Sequence, residues 1–190
     1  GALERALRDE GSEGFPFPSI VASGPRSALP HARSSPRVVG ANELLLMDFG
    51  AEVGGYCADV TRTFVVGTAD ARQREVYAVV QGANALASER VRAGMRGRDA
   101  DALARDYIDG LGYGDAFGHS LGHGLGLEVH EAPRLAKSAE AALPTDSVVT
   151  IEPGIYLPAW GGVRIEDDVY LGAAGPTVLT HFTRDLVELS

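Results

Sequence analysis

Two stretches of this chain wrap an apolar, strand-forming run around a single carboxylate. Each is followed by a glycine-containing turn and a second strand that carries another acid. The first is Leu45-Leu46-Met47-Asp48-Phe49-Gly50, with Asp59 eleven residues beyond Asp48. The second is Val149-Thr150-Ile151-Glu152-Pro153-Gly154, with Glu166 fourteen residues beyond Glu152. Acidic residues are disfavoured inside strands. A carboxylate among core residues is costly to desolvate unless positive charge neutralises it. The shared order reads as a faint internal repeat of two hairpins, each delivering two acids. A pseudo-two-fold axis relating them would bring four carboxylates together, and four like charges in one pocket call for cations.

The rest of the chain supplies the frame. Leu3, Ala6 and Leu7 fall on one helical face over residues 2–9, and Gly11 and Gly14-Phe15-Pro16-Phe17-Pro18 end that helix. Ser19 to Gly24 is a short strand candidate, and a polar loop from Pro25 to Pro36 carries His31. A lone loop histidine is ordinarily solvated, so the residues alone give His31 no role. Glu43–Gly50 and Tyr56–Val66 read as paired strands around a Gly54-Gly55 turn. Cys57 lies on the face of Asp59, where a single thiol reads as core rather than ligand.

Thr68 or Asp70 can cap a long helix whose buried stripe is Val76, Val79, Val80, Ala83, Leu86 and Ala87. Gly94 and Gly97 break the chain. A second helix over Asp99 to Leu111 buries Ala100, Leu103, Ala104, Tyr107, Ile108 and Leu111 and stops at Gly112. From Gly118 to Glu131 the sequence is glycine-rich and holds His119, His123 and His130. The glycines argue against a helical zinc motif for His119 and His123. They favour instead a backbone that other groups can approach closely. Alternation from Leu125 predicts a strand with His130 near its end. Residues 136–146 connect to the Glu152 and Glu166 strands, 148–156 and 162–169, and a last strand lies around Thr177–Leu179.

The net charge of −9 excludes a typical nucleic-acid binder. No apolar run is long enough to span a bilayer. One cysteine precludes an internal disulfide and suits a reducing, cytoplasmic setting. The length of 190 residues fits one domain, and the amphipathic, charged start reads as a fragment of a longer chain. Two divalent ions balance four carboxylates, and a histidine from the glycine-rich loop completes the shell. Oxygen donors with one nitrogen favour manganese or cobalt, with zinc as the further choice. Such a site offers hydrolysis, with a hydroxide bridging the two metals as nucleophile and a nearby acid moving the proton.

These motifs, in this order, resemble the pita-bread-fold metallopeptidase family of methionine aminopeptidases, prolidases and Xaa-Pro aminopeptidases. The resemblance runs over essentially the whole chain from about Leu3. It implies an α+β fold: a curved antiparallel sheet with helices on its outer face and a pseudo-two-fold repeat. It also implies Asp48, Asp59, His123, Glu152 and Glu166 as ligands of two metals, with Glu152 also the proton shuttle. His31, His119 and His130 match catalytic and substrate-contacting histidines, and Tyr156 and Arg164 match pocket positions.

His119-Ser-Leu-Gly-His123-Gly, Glu152-Pro-Gly-Ile-Tyr156 and Gly-Val-Arg164-Ile-Glu166-Asp-Asp are typical of the Xaa-Pro branch. The Gln-x-Glu-His pattern resembling methionine aminopeptidases is absent from this sequence. The expected substrate is a small peptide with proline second, and the expected assembly a homodimer or higher homo-oligomer. A methionine or broad-specificity aminopeptidase, or an inactive peptide-binding module, is the competing reading. Relative to that family, residues 1–190 read as a catalytic domain without its first helices or a separate N-terminal domain.

Overall fold

The computed structural model describes residues 1–190. In chain order the elements are α1 (Ala2–Asp9), β1 (Ile20–Ser23), β2 (Glu43–Val53), β3 (Tyr56–Val66), α2 (Ala71–Arg90) and α3 (Gly97–Gly110). They continue with β4 (Gly122–Gly124), β5 (Glu131–Leu135), β6 (Ser147–Ile151), β7 (Gly154–Leu157) and β8 (Gly161–Arg164). β9 (Asp167–Gly172), β10 (Gly175–Val178) and β11 (Glu188–Leu189) complete the chain. One sheet has the order β1-β2-β3-β11, a second has β10-β9-β6-β4-β5, and β7 pairs with β8 alone. All pairings are antiparallel except β11 on β3.

The β2–β3 hairpin forms as its sequence pattern requires. Gly54 and Gly55 take φ of +60° and +79°, the left-handed conformations of a two-residue hairpin turn. Asp48 lies opposite Thr61 and Gly50 opposite Asp59, so the two acids are diagonal neighbours on one face of the ladder.

α2 and α3 pack on each other and on the sheets through a core that includes Val76, Val80, Ala83, Ala104, Ile108, Ile151, Ile155, Ile165 and Val169. Asp70 caps α2: its side chain accepts from the Gln73 amide at 2.8 Å while the Gln73 side chain accepts from the Asp70 amide at 2.9 Å. Thr68 is not the cap; its amide is bound by Asn42. Within α2, Asn84 is fully buried and donates to the carbonyls of Ile151 (3.0 Å) and Ile165 (3.1 Å). One amide thereby ties the helix to the chain just before Glu152 and just before Glu166.

Several expectations change. Gly97 starts α3 rather than breaking the chain, and its lack of a side chain serves packing: a Cβ there would lie 2.0 Å from the Arg134 carbonyl of β5. Leu111 is outside the buried stripe, at 51% exposure, since the helix ends at Gly110. Leu86 is half-buried, and so is Cys57, whose sulfur sits 3.9 Å from the Leu127 carbonyl rather than in the core. Leu125–His130 is not a strand: after the irregularity at His123/Gly124 the chain turns, with the Gly126 amide bound to Glu128, before pairing as β5. The strand expected around Thr177–Leu179 spans Gly175–Val178, and it is not the last, since Glu188–Leu189 pairs with β3 beyond it.

The run expected over 162–169 is divided. Arg164 ends β8, Asp167 begins β9, and between them the Glu166 amide donates to the Thr61 carbonyl at 3.1 Å. That isolated bridge is one of several links between the β2–β3 hairpin and the second half of the molecule, beside the Thr63–Arg164 and Asp59–Asp168 hydrogen bonds. Glu152 likewise stands one residue beyond the end of β6.

Candidate metal centre

The four acids converge where these elements meet. Along β2, Leu44, Leu46 and Asp48 are buried in alternation, and along β3 so are Asp59, Thr61, Thr63 and Val65. The period of two that builds the core face therefore carries one acid from each strand to its end. Glu166 is 2% exposed and is held by the Thr61 hydroxyl, which donates to Oε2 at 2.5 Å. Arg62, behind this bridge, donates to the carbonyls of Thr61 (2.9 Å) and Glu166 (2.6 Å) and to Asp167 (2.6 Å). Asp167 also accepts from Arg184 at 2.7 Å.

His123 arrives on β4 between two glycines that the packing demands. A Cβ on Gly122 would lie 1.9 Å from the Thr150 carbonyl, and one on Gly124 would lie 2.2 Å from the Ala132 carbonyl. No side chain fits in either place, so the glycine density here is the cost of squeezing β4 between β5 and β6. The His123 Nδ1 lies 3.0 Å from the Gly124 carbonyl. It must be the protonated nitrogen, which leaves Nε2 with a free lone pair. That nitrogen faces Glu152 Oε1 at 3.4 Å and Asp59 Oδ2 at 3.9 Å. Asp59, His123 and Glu166 each place one donor atom within 4.8 Å of the others.

Electrostatically the cluster is strained by its own charge. Burial, followed by the neighbouring Asp48 and Glu152 charges, pushes Asp59 up to about 9. Burial and Asp48 raise Glu152 to about 7 against the pull of Arg164, and Glu166 and Asp48 also titrate above their ordinary range, mainly through burial. Burial lowers His119 and His123 to about 4, so both imidazoles are neutral near pH 7. Arg164, 3% exposed, donates to Asp48 Oδ2 at 2.5 Å, to the Tyr156 hydroxyl at 2.8 Å and to Thr61 Oγ1 at 3.1 Å. One guanidinium cannot balance four carboxylates. Asp48 Oδ1 and Asp59 Oδ1 are buried without any hydrogen-bond partner. Orphaned acid oxygens beside a bare imidazole nitrogen are donor groups arranged for divalent cations.

A cleft of about 1190 Å³ opens above the acids. Nine of the ten sequence-predicted residues line it: His31, Asp48, Asp59, His119, His123, His130, Glu152, Arg164 and Glu166. The tenth, Tyr156, stands behind the wall. Its hydroxyl accepts from Arg164 and lies 2.8 Å from His119 Nε2, so it reaches the cleft only through those two. His31 and His130 are exposed at the rim, and the His130 ring meets that of His123 edge-on at 4.3 Å.

Sequence reasoning missed Thr61, Thr150, Asp168, Arg33 and Arg134. Thr61 was readable, being two residues from Asp59 on the same strand face. Thr150 carries a hydroxyl that serves both the His123 amide (3.1 Å) and Glu152 (3.3 Å). Asp168 accepts from the Asp59 amide at 3.1 Å. Arg33 and Arg134 line the cleft, and only the fold brings them there.

The model of metallopeptidase family M24 matches residues 1–173. The chain belongs to that family. It is 45% identical over 185 residues to a Xaa-Pro dipeptidase of Pyrococcus furiosus, covering 97% of this chain and 53% of that protein. It is 48% identical over 187 residues to an uncharacterized peptidase of Bacillus subtilis, covering 98% and 53%. Among solved structures, a Xaa-Pro dipeptidase from Bacillus anthracis superposes with a TM-score of 0.96 at 47% identity, and an X-Pro aminopeptidase from Thermotoga maritima with 0.96 at 45%. Each of those two comparisons covers 98% of this chain and 53% of the other. The fold is therefore the pita-bread fold of the M24 peptidases, and the chain spans about half the length of the curated relatives it matches.

Proposed function

We propose that this chain carries the catalytic centre of a metal-dependent exopeptidase that cleaves the bond between an N-terminal residue and proline. The observation that carries the reading is the convergence of four acids on His123, with two acid oxygens buried and unpartnered. Asp48, Asp59, His123, Glu152 and Glu166 would hold two divalent ions, with manganese or cobalt suiting an oxygen-rich donor set best and zinc next. When bound, such a pair lowers the pKa of a shared water and polarises the scissile carbonyl.

The protein's own groups do the rest. Glu152 is the acid best placed to move a proton, because its side chain is 17% exposed while Glu166, at the cleft wall, is only 2% exposed. A carboxylate at this edge of the cleft is within reach of a proton on bound substrate or water. His119 is locked by the Ser120 carbonyl (2.8 Å) and Tyr156, and it presents a neutral imidazole to substrate. His31 and His130 are exposed in the cleft lining, where they would contact the peptide. Arg164 holds Asp48 and, through Tyr156, His119. The names of the relatives support proline at the second position, and both dipeptidases and an aminopeptidase are among them.

Activity on alanyl-proline and alanyl-prolyl peptides tests the reading. Cleavage should vanish with EDTA and return with Mn²⁺ or Co²⁺. Release of N-terminal methionine without Xaa-Pro cleavage would overturn the specificity. Metal-dependent peptide binding without turnover would make the domain a binding module.

A further inference from the structure

The glycine-rich loop that delivers His119 is pinned to the core at Phe117 and Leu121, and a further constraint fixes the backbone between them. That constraint is an ion pair on α3. Arg105 and Asp101 form a two-pronged pair, with Nε to Oδ2 at 2.6 Å and Nη2 to Oδ1 at 2.8 Å, and Asp101 is 1% exposed. The donors left on Arg105 reach the loop: Nη1 bonds the Phe117 carbonyl at 2.9 Å and Nη2 the His119 carbonyl at 2.7 Å. Asp101 Oδ1 accepts from the Leu121 amide at 3.0 Å. The guanidinium also stacks on the Phe117 ring at 4.2 Å, and that ring meets His119 edge-on at 5.1 Å. Three alternate loop residues are thus fixed by one ion pair. The Leu121 carbonyl in turn accepts from the Glu152 amide at 2.8 Å.

We infer that Asp101 and Arg105 are positioning residues for the reaction, setting His119 through the backbone of Phe117, His119 and Leu121. Neither touches the cleft, and Asp59 and Glu166 are held by other contacts. An i,i+4 Asp–Arg pair on a solvated helix contributes little. This one is mostly buried and spends its hydrogen bonds on loop backbone, where geometry rather than stability is at stake.

The inference rests on the peptidase reading for its kinetic part only. In the full chain, Arg105→Gln should lower kcat on alanyl-proline on the order of 100-fold, as a small displacement of catalytic groups does, with KM and Mn²⁺ affinity unchanged. In a His119→Ala background the same substitution should cost far less, because its main target is already gone. A full, multiplicative loss in that background would overturn the inference, as would a parallel loss of Mn²⁺ affinity.

Amide hydrogen exchange on the unsubstituted protein reads the clamp without any variant or activity. The Leu121 amide should be protected to the level of β6, and exchange at open-loop rates would overturn the inference even if Arg105→Gln does not fold. If the native protein cleaves no Xaa-Pro peptide while Leu121 is protected, the peptidase reading fails and the clamp stands.

Discussion

The two acid-bearing halves of the site solve one problem in two ways. In the first half, Asp48 and Asp59 sit inside an unbroken antiparallel ladder closed by two glycines. In the second, the acids stand where the ladders stop: Glu152 follows the end of β6, and Glu166 falls between β8 and β9. A regular strand fixes its side chains by register alone. A residue between strands needs separate anchors, and here they are Asn84, Thr61 and Arg62 for Glu166, and Leu121 and Thr150 for Glu152. The first half is a rigid pair of donors. The second separates a nearly buried acid from a more exposed one, which suits the proposed division between holding an ion and moving a proton.

That contrast can be broken most severely at Glu152. Glu152→Gln should leave the Asp59–His123–Glu166 triad able to bind an ion yet lower turnover by about 10³-fold or more, in the upper range for a lost acid–base group. Asp59→Asn should instead remove Mn²⁺ binding, read by calorimetry. Similar metal affinities for the two variants would erase the proposed division of labour.

Next in size is Asn84→Ala, which strips two buried carbonyls in the second half alone. Leaving them unpaired should cost about 2–4 kcal/mol in denaturant unfolding, and a loss below half of that would mean these anchors are dispensable.

The acids also predict a pH effect in metal-free protein. Their folded-state pKa values are raised, so the folded state binds more protons than the unfolded chain above the ordinary carboxylate range. Stability should therefore fall as pH rises from about 4, the unfolded carboxylate pKa, to the folded value of about 9 at Asp59. Added Mn²⁺ should raise Tm most at the alkaline end of this window. A metal-free Tm that climbs over the same range would contradict the charge crowding.

The smallest effect belongs to the hairpin tip. Gly54→Ala, at φ +60°, should cost about 1 kcal/mol for a left-handed residue and leave Mn²⁺ affinity untouched, since the ladder sets Asp48 and Asp59.

The same contrast explains what was legible beforehand. The β2–β3 hairpin is local: alternation, a Gly-Gly turn and two acids specify it within twenty-odd residues. The four acids and three clustered histidines were readable because carboxylates in apolar runs and histidines among glycines are chemically conspicuous. The breaks around Glu152 and Glu166 were not, because they arise from long-range bonds such as Glu166 to Thr61 and Asn84 to Ile165. Leu125–His130 was misread as a strand because its alternation is real, while Gly126 turns the chain to make room for β5. The role of Asp101 and Arg105 was not legible, since only packing reveals the loop that an i,i+4 pair holds.

If donors from both halves share two cations, crystals soaked with Mn²⁺ and measured for anomalous scattering should show two peaks, together contacted by Asp48, Asp59, His123, Glu152 and Glu166. Peaks elsewhere, or a single peak that the second half alone contacts, would contradict that sharing.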